Sequence, residues 1–419
     1  MRGVLAISVV LATRAVAAAD DKAPPGATFE DPCVDGTETA CKRRAMDGLY
    51  AAFAATDAGT ATAPVRISYV GDSVTADDLI TNDLRQRLQA RFGDGGPGFL
   101  YAAPPHEFNR HRAVKRTLGG EWTVHGVSAS PPRDKLMGLG GSSAETYDGT
   151  IKLTATATTL ATADVYYLAQ PRGGELVVAP GGTKAAAAAT IATTADAKQA
   201  RFQSVALAAG TTTLGLRTKG KVRLFGIVLE AATGVVIDNL GVVNATAKAF
   251  AANRADHWKN QLAHRAPDLL VVMLGGNEAA WLPAKGAALD EHERVFAKLV
   301  TTARAANPDR ACLVVSPFDQ LAWETEGTPP RTSVPAMVAA QRRAAVSAGC
   351  AFWDAYQWMG GKGSSKQWRK QRLITNDYQH PTPRGSRWIA DALAGGLLDG
   401  YAAWQQRSGK TTAARRTGR

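Results

Sequence analysis

The chain has 419 residues, 45% of them hydrophobic and 21% charged, with a formal net charge of +12 at pH 7. That balance excludes wholesale disorder, and the length predicts two or three domains with ample core material. The positive excess favours anionic partners, but without a recognition motif it does not make a nucleic-acid-binding protein.

Residues 1–19, "MRGVLAISVVLATRAVAAA", read as a secretory signal peptide. Arg2 supplies the positive start, Gly3 to Thr13 the apolar centre, and Ala17-Ala18-Ala19 a small-residue cleavage site. The apolar run is too short for a membrane span, and Arg14 interrupts it. The expected location is therefore exported, periplasmic or extracellular. Residues 20–61 form an N-terminal segment with one helix, carrying Ala45, Met46, Leu49, Tyr50 and Phe53 at helical spacing. Cys33 and Cys41 are close enough to pair in an oxidising compartment, which would contribute about 2–3 kcal/mol. Cys312 and Cys350 each begin a predicted strand, and the sequence leaves open whether they pair or remain buried thiols.

Residues 62–95 contain "PVRISYV", a strand, and then a helix with Leu79, Ile80, Leu84, Leu88 and Phe92 on one face. This is the strand, turn and helix that opens an α/β domain. From 96 to 232 the helical period gives way to short alternating runs such as "TIKLTATAT", "GELVVAP" and "KVRLFGIVLE", separated by glycine-rich turns. Such spacing predicts an inserted all-β, jelly-roll-like sandwich, with the alanine run 185–189 as an alternative helical turn. Over 233–405 the α/β alternation returns. "GVVIDNL" and "PDLLVVML" read as buried parallel strands, and "ACLVVSP" and "CAFWDAY" as two more. Helices are predicted over 244–265, 289–306, 333–348 and through "RGSRWIADALAGGLLDGYAAW". Residues 406–419 form a basic C-terminal tail. Together with "KGSSKQWRKQR" it reads either as solvated surface or as a feature drawn to an anionic cell envelope.

Four short motifs fall at the predicted carboxyl ends of strands, where open α/β sheets bind ligands. "VGDSVTADDL" places Ser73 where strand becomes helix. Unpaired N–H groups at such a helix start can receive an oxyanion. "IDNLGVVNATA" supplies Gly241, "VVMLGGNEAAW" supplies Asn277, and "ITNDYQHPTPRG" supplies Asp377 and His380. An acid three residues before an imidazole can fix its tautomer and stabilise its cation. Pro381 disfavours helical backbone at His380, and Thr382 and Pro383 form a helix start. A histidine near that positive helix end is expected to resist premature protonation.

In this order the Gly-Asp-Ser block, the isolated glycine, the Gly-x-Asn block and the Asp-x-x-His block resemble the SGNH (GDSL-like) hydrolase family. The β-rich insertion is similar to that of two-domain peptidoglycan O-acetylesterases. Val74 after the serine and Glu278 after the asparagine depart from the usual Leu and Asp. The resemblance implies a flavodoxin-like three-layer α/β domain carrying the inserted sandwich. It also implies Ser73 as nucleophile, His380 as general base and then acid, and Asp377 as the orienting carboxylate. The Ser73 and Gly241 N–H groups and the Asn277 amide would form the oxyanion hole, with no metal or cofactor.

Other chemistries find less support in the residues. There is no Gly-x-Ser-x-Gly elbow, dinucleotide fingerprint or P-loop. In "HEFNRH", His106 and His111 are five apart, off the four-residue spacing of a zinc-binding helix. His125, His257, His264 and His292 read as structural or surface residues. Trp122, Tyr147, Tyr166 and Tyr167 in the insertion could stack on sugars, but most are expected in the core. Trp281 is a candidate cleft residue. The expected function is removal of O-acetyl groups from a polymeric glycan, most of all peptidoglycan, through an acyl-Ser73 intermediate. The alternatives are a glycan O-acetyltransferase using the same triad, or a carbohydrate-binding envelope protein with little hydrolase activity.

Overall fold

A computed structural model of the chain describes residues 25–156, 159–322 and 327–409. The predicted signal peptide and most of the basic tail lie outside the described residues. Five parallel strands form the central sheet: Val65–Gly71, Val235–Gly241, Leu269–Met273, Ala311–Val315 and Ala351–Trp353. The second strand lies at one edge beside the first, and the third, fourth and fifth follow on the other side. This 2-1-3-4-5 order is flavodoxin-like.

Alternation along these strands divides the core into two layers. Ile67, Tyr69, Val271 and Leu313 join one apolar cluster, with the final helix Pro383–Ser408. Val70, Leu270, Val272 and Val314 join a second, on the opposite face. Side chains two apart share a face, so a strand buried on both sides reads as one continuous apolar run. Register also decides the cysteine question. Leu313 stands opposite Ala351, which brings the preceding Cys312 and Cys350 together as a disulfide. Cys33 and Cys41 form the other bridge, across a hairpin of Cys33–Thr37 and Ala40–Arg44 that the sequence pattern did not announce.

Between the first and second parallel strands the chain builds two antiparallel sheets, of five and six strands. Ile151, Leu176 and Leu214 of the smaller sheet meet Val165, Ile227 and Leu229 of the larger in a third apolar cluster. The larger sheet is covered on its other face as well. Phe99, Tyr166, Phe225 and Val228 pack with Val70, Leu240 and Trp258 of the α/β portion. Its strand Val222–Glu230 is consequently buried at every position.

Several local expectations change. The predicted helix 244–265 is two helices, Ala247–Ala251 and Ala255–Arg265. The first strand's helix is preceded by a short turn of helix, Ser73–Ala76. "CAFWDAY" is a three-residue strand that passes into helix Ala355–Met359. The alanine run leads into strand Ala189–Ala192. No helix among the described residues is long and apolar enough to cross a membrane.

Candidate active site

The first parallel strand ends at Gly71, and the chain turns directly into Ser73–Ala76. Asp72 caps this turn, its Oδ1 accepting the Val74 N–H at 3.0 Å. Burial pushes the Asp72 carboxyl up to about 6. The Ser73 N–H, at the first helical position, has no acceptor among the described residues.

The histidine is held by a compact turn. Thr375 N–H donates to the His380 carbonyl at 2.8 Å, and Ile374 and Pro381 form an isolated antiparallel bridge. Tyr378 takes a left-handed backbone inside this turn. Asp377 Oδ1 accepts from Thr375 Oγ1 at 2.5 Å, Gln379 N at 2.9 Å and His380 N at 3.0 Å. Its Oδ2 is thereby aimed at His380 Nδ1, 2.7 Å away. Thr382 then caps the final helix by accepting the Gly385 N–H, with Pro383 at its start. Gly385 is required here by close approach, since a Cβ would stand 1.9 Å from the Leu373 carbonyl oxygen.

Ser73 Oγ lies 2.8 Å from His380 Nε2 although 307 residues separate them. The Asp377 carboxylate can only accept, so Nδ1 carries the imidazole proton and Nε2 is left to accept from the serine. Burial alone would raise Asp377, but its hydrogen bonds hold it well below the usual carboxylate range. The hydrogen bond that His380 donates to Asp377 raises the imidazole above its ordinary value, outweighing burial. The expected resistance of His380 to protonation is therefore reversed: a paired carboxylate at 2.7 Å dominates the adjacent helix end.

The remaining predicted residues separate into two groups. Asn277 follows the third strand, and its Nδ2 donates to the Ala245 carbonyl at 2.8 Å. One amide N–H is spent there, and the amide carries a second. Gly241 does not fit the open-donor role expected of it. Its N–H donates to Asn239 Oδ1 at 2.9 Å inside the buried second strand. A Cβ there would lie 2.5 Å from the Ala76 N, so this glycine lets the strand approach the Ser73 helix. Its carbonyl is clamped from the insertion by Tyr101 Oη at 3.0 Å and Asn109 Nδ2 at 2.7 Å.

Asn244, which the sequence reading passed over, is better disposed. It has φ +60°, sits in the turn closed by Ala245 N–H to Val242 carbonyl, and its own N–H has no acceptor among the described residues. That turn lies between Gly71, whose carbonyl takes the Val242 N–H, and Asn277, which takes the Ala245 carbonyl. Asparagine tolerates left-handed backbone, which is the signal that could have singled it out. Glu278, the departure after the asparagine, is buried and pushed up to about 7 by desolvation. Its carboxylate accepts the Ala247 N–H at 2.7 Å and so ties the Asn277 block to the helix after this turn. Trp281 is 62% exposed, whereas Tyr166 and Tyr167 are core residues. His106 packs against Phe108 with tilted rings, while His111 Nε2 donates to the Pro97 carbonyl at 3.0 Å, so the two do not converge.

The fold and the arrangement of these motifs match those of the SGNH (GDSL-like) hydrolases and make the chain a carboxylic ester hydrolase. The GDSL-like Lipase/Acylhydrolase family model matches residues 204–388. That span includes Asn277, Asp377 and His380 but not Ser73, which the insertion separates from it. Among solved structures the chain is similar to a peptidoglycan O-acetylesterase, with 25% identity over 85% of this chain and 96% of that one, at TM-score 0.73. Partial matches include an acetyl-xylooligosaccharide esterase from Geobacillus stearothermophilus, 18% identical over 39% of this chain and 73% of that one, TM-score 0.29. Another is a lipase/acylhydrolase from Enterococcus faecalis, 12% identical over 41% and 77% of the two chains, TM-score 0.30. Comparison with curated proteins returns no match.

Proposed function

We propose that the protein is an exported serine esterase that removes O-acetyl groups from a polymeric glycan, peptidoglycan foremost. The observation that carries this reading is the Ser73–His380–Asp377 chain of hydrogen bonds, 2.8 and 2.7 Å long. Similarity to a peptidoglycan O-acetylesterase along most of both chains supports the substrate class. The reading divides the chain into hydrolase parts at 62–95 and 233–405, with 96–232 inserted.

Ser73 Oγ attacks the acetyl carbonyl carbon as His380 Nε2 takes the hydroxyl proton. The imidazolium formed is stabilised by Asp377. The carbonyl oxygen becomes an oxyanion, received by the Ser73 N–H, the Asn277 amide and the Asn244 N–H, the last in place of Gly241. Collapse breaks the ester C–O bond, and His380 returns its proton to the departing sugar hydroxyl. Water then attacks acetyl-Ser73 with His380 again as base. Acetate leaves and the serine recovers its proton. Trp281, exposed beside the asparagine block, offers a face for a sugar ring at the cleft.

The test is acetate release from O-acetylated peptidoglycan, acetyl-xylan and p-nitrophenyl acetate, with Ser73→Ala as control. Release from peptidoglycan should be fastest and fall by at least about 10⁴-fold in the variant. Undiminished turnover in purified Ser73→Ala protein would end the assignment. Transfer of acetyl to a sugar hydroxyl in preference to water would redirect it to a transferase.

A further inference from the structure

The smaller antiparallel sheet has one face in the core and the other open. Its strands lie in the order Ala189–Ala192, Glu175–Pro180, Thr213–Lys219, Thr150–Ala155 and Val114–Gly119. Ile151, Leu153, Leu214 and Leu216 point inward to the third apolar cluster. Alternation turns the residues between them outward. The larger sheet lies between this outward face and the α/β portion.

Register draws the cations of the open face into a line. Lys115 stands opposite Thr154, two residues beyond Lys152 on the neighbouring strand. Lys152 stands opposite Gly215, two residues before Arg217 on the strand after that. Each step is one strand across and two residues along, a diagonal of about 7–8 Å. Lys115 and Lys152 are exposed, with Thr117, Thr150 and Thr154 beside them on the same face. Arg217 Nη1 donates to the Thr183 and Ala185 carbonyls at 2.7 and 3.1 Å, which pins their turn onto the sheet. Gly215 makes room for it, since a Cβ there would stand 2.2 Å from the Gly182 carbonyl carbon. The turn brings a fourth cation, exposed Lys184, to this face.

Little on the sheet neutralises them. Its five strands contain one carboxylate, Glu175, which stands opposite Lys219, beyond the end of the line. Among the described residues Lys115, Lys152, Lys184 and Arg217 form no ion pair, whereas Lys198 pairs with Asp134 and Lys221 with Glu145. Residues 157–158, which follow the Thr150–Ala155 strand, are alanine and threonine and bring no charge. A lysine on an edge strand can serve to block edge-to-edge pairing, and Lys115 lies on one. Lys152 and Arg217 lie on interior strands, where that purpose does not apply. The five strands also contain no aromatic residue, so this face offers charge and hydroxyl groups and no surface for stacking sugar rings. Like charges held in a row repel one another, and a linear polyanion laid along them relieves that cost.

We propose that this face docks a carboxylate-bearing glycan strand along the cation diagonal and so holds the protein on the polymer whose acetyl groups the triad removes. The identity of the polymer rests on the esterase reading; the diagonal does not. Lysine is a compact charge on a flexible stem, which suits carboxylates at varying positions on peptide branches better than one rigid ligand.

The experiment measures binding apart from turnover. Full-length Ser73→Ala protein is co-sedimented with insoluble peptidoglycan sacculi, either native or with their carboxylates amidated. Native sacculi should bind about tenfold more tightly, and the ratio should shrink between about 0.05 M and about 0.5 M salt. Adding Lys115→Gln, Lys152→Gln and Lys184→Gln together should bring the ratio near one, while arginine at the same three positions should preserve it. In protein that retains Ser73, the three glutamines should leave turnover of p-nitrophenyl acetate unchanged, because the face lies away from the triad. Equal binding of native and amidated sacculi, a ratio that survives the glutamines, or a ratio lost with arginine overturns the docking surface. Displacement from sacculi by anionic lipid vesicles but not by soluble peptidoglycan fragments overturns the choice of occupant. Carboxylate-dependent binding without acetate release by the unsubstituted enzyme sustains the surface and sinks the esterase reading instead.

Discussion

The parallel and antiparallel portions of this protein bury similar residues but place polar groups very differently. In the parallel sheet the strands are mostly apolar, with Arg66, Ser68, Asp238 and Asn239 as exceptions, and the candidate site lies where they end, at Gly71, Met273 and the turns beyond them. A parallel strand has both faces covered, so only its ends remain open to ligands. Among the described residues the antiparallel sheets carry no such collection at their ends. Where they meet the α/β portion lies a polar seam: Arg265, 2% exposed at its side chain, pairs with Asp238 of the parallel sheet at 2.8 Å and with Glu230 of the antiparallel strand Val222–Glu230 at 2.6 Å. Arg66 takes Glu230 from the parallel side at 2.8 Å, and Asp238 accepts the Phe99 N–H from the antiparallel side, also at 2.8 Å. Burial would raise Glu230, but Arg265 and Arg66 hold it down at about 2. One region gathers the candidate site, and the other fixes how the halves meet.

The sharpest division between them comes from Asp377→Asn. Turnover of p-nitrophenyl acetate should fall by about 10²–10⁴-fold because the imidazole loses its orienting acceptor. The pH profile should move as well. His380 must be neutral to act as base, and its titration is raised above 6.5 by Asp377, so kcat/KM should rise with pH through that elevated value. In the variant the acid limb should shift downward, and an unmoved limb would mean that another group controls it.

Across the seam, Arg265→Leu should cost about 3–5 kcal/mol, since it leaves buried carboxylates without their partner. Urea unfolding would measure this. A loss under about 1 kcal/mol would make the ion cluster dispensable to the junction.

Within the site, Asn277→Ala should lower kcat by about 10²–10³-fold. Asn244→Gly keeps both the N–H and the left-handed backbone, so activity should stay within about threefold. A large loss there would show that the asparagine side chain, rather than its N–H, is what matters.

A gain in stability rather than a loss is expected from Asp72→Asn. The folded protein holds this carboxyl at about 6 against 3.8 when exposed. Between those values the unfolded chain releases a proton that the folded one keeps, so ionisation penalises the fold as pH rises. Asn should stabilise by on the order of 1–3 kcal/mol above about pH 6 and by almost nothing below about pH 4. Equal gains at both pH values would remove burial of charge as the cause.

Much of the candidate site was legible because its motifs are local. Thr382 and Pro383 form the helix start that the sequence foretold. Gly241 was misread for a physical reason: an isolated glycine after a strand looks the same whether it frees a donor or admits a helix. Only the 2.5 Å approach of Ala76 and the engaged N–H separate the two. Asn244 was missed because its one local mark, the tolerance of asparagine for left-handed backbone, does not say that its N–H lies open. The split of the predicted helix 244–265 was invisible for a similar reason, since Thr246 and Arg254 begin separate helices without a proline or glycine between them.

By itself the sequence determined the alternation of strands and helices, the place of the insertion and the chemistry available at each strand end. These follow from side-chain periodicity and from backbone preferences that act within a few residues. Tertiary structure decided the partner of each group: Cys312 with Cys350, Ser73 with His380, and Arg265 with both carboxylates. Those pairings depend on strand order and register, which are set by the packing of whole layers and have no signature in neighbouring residues.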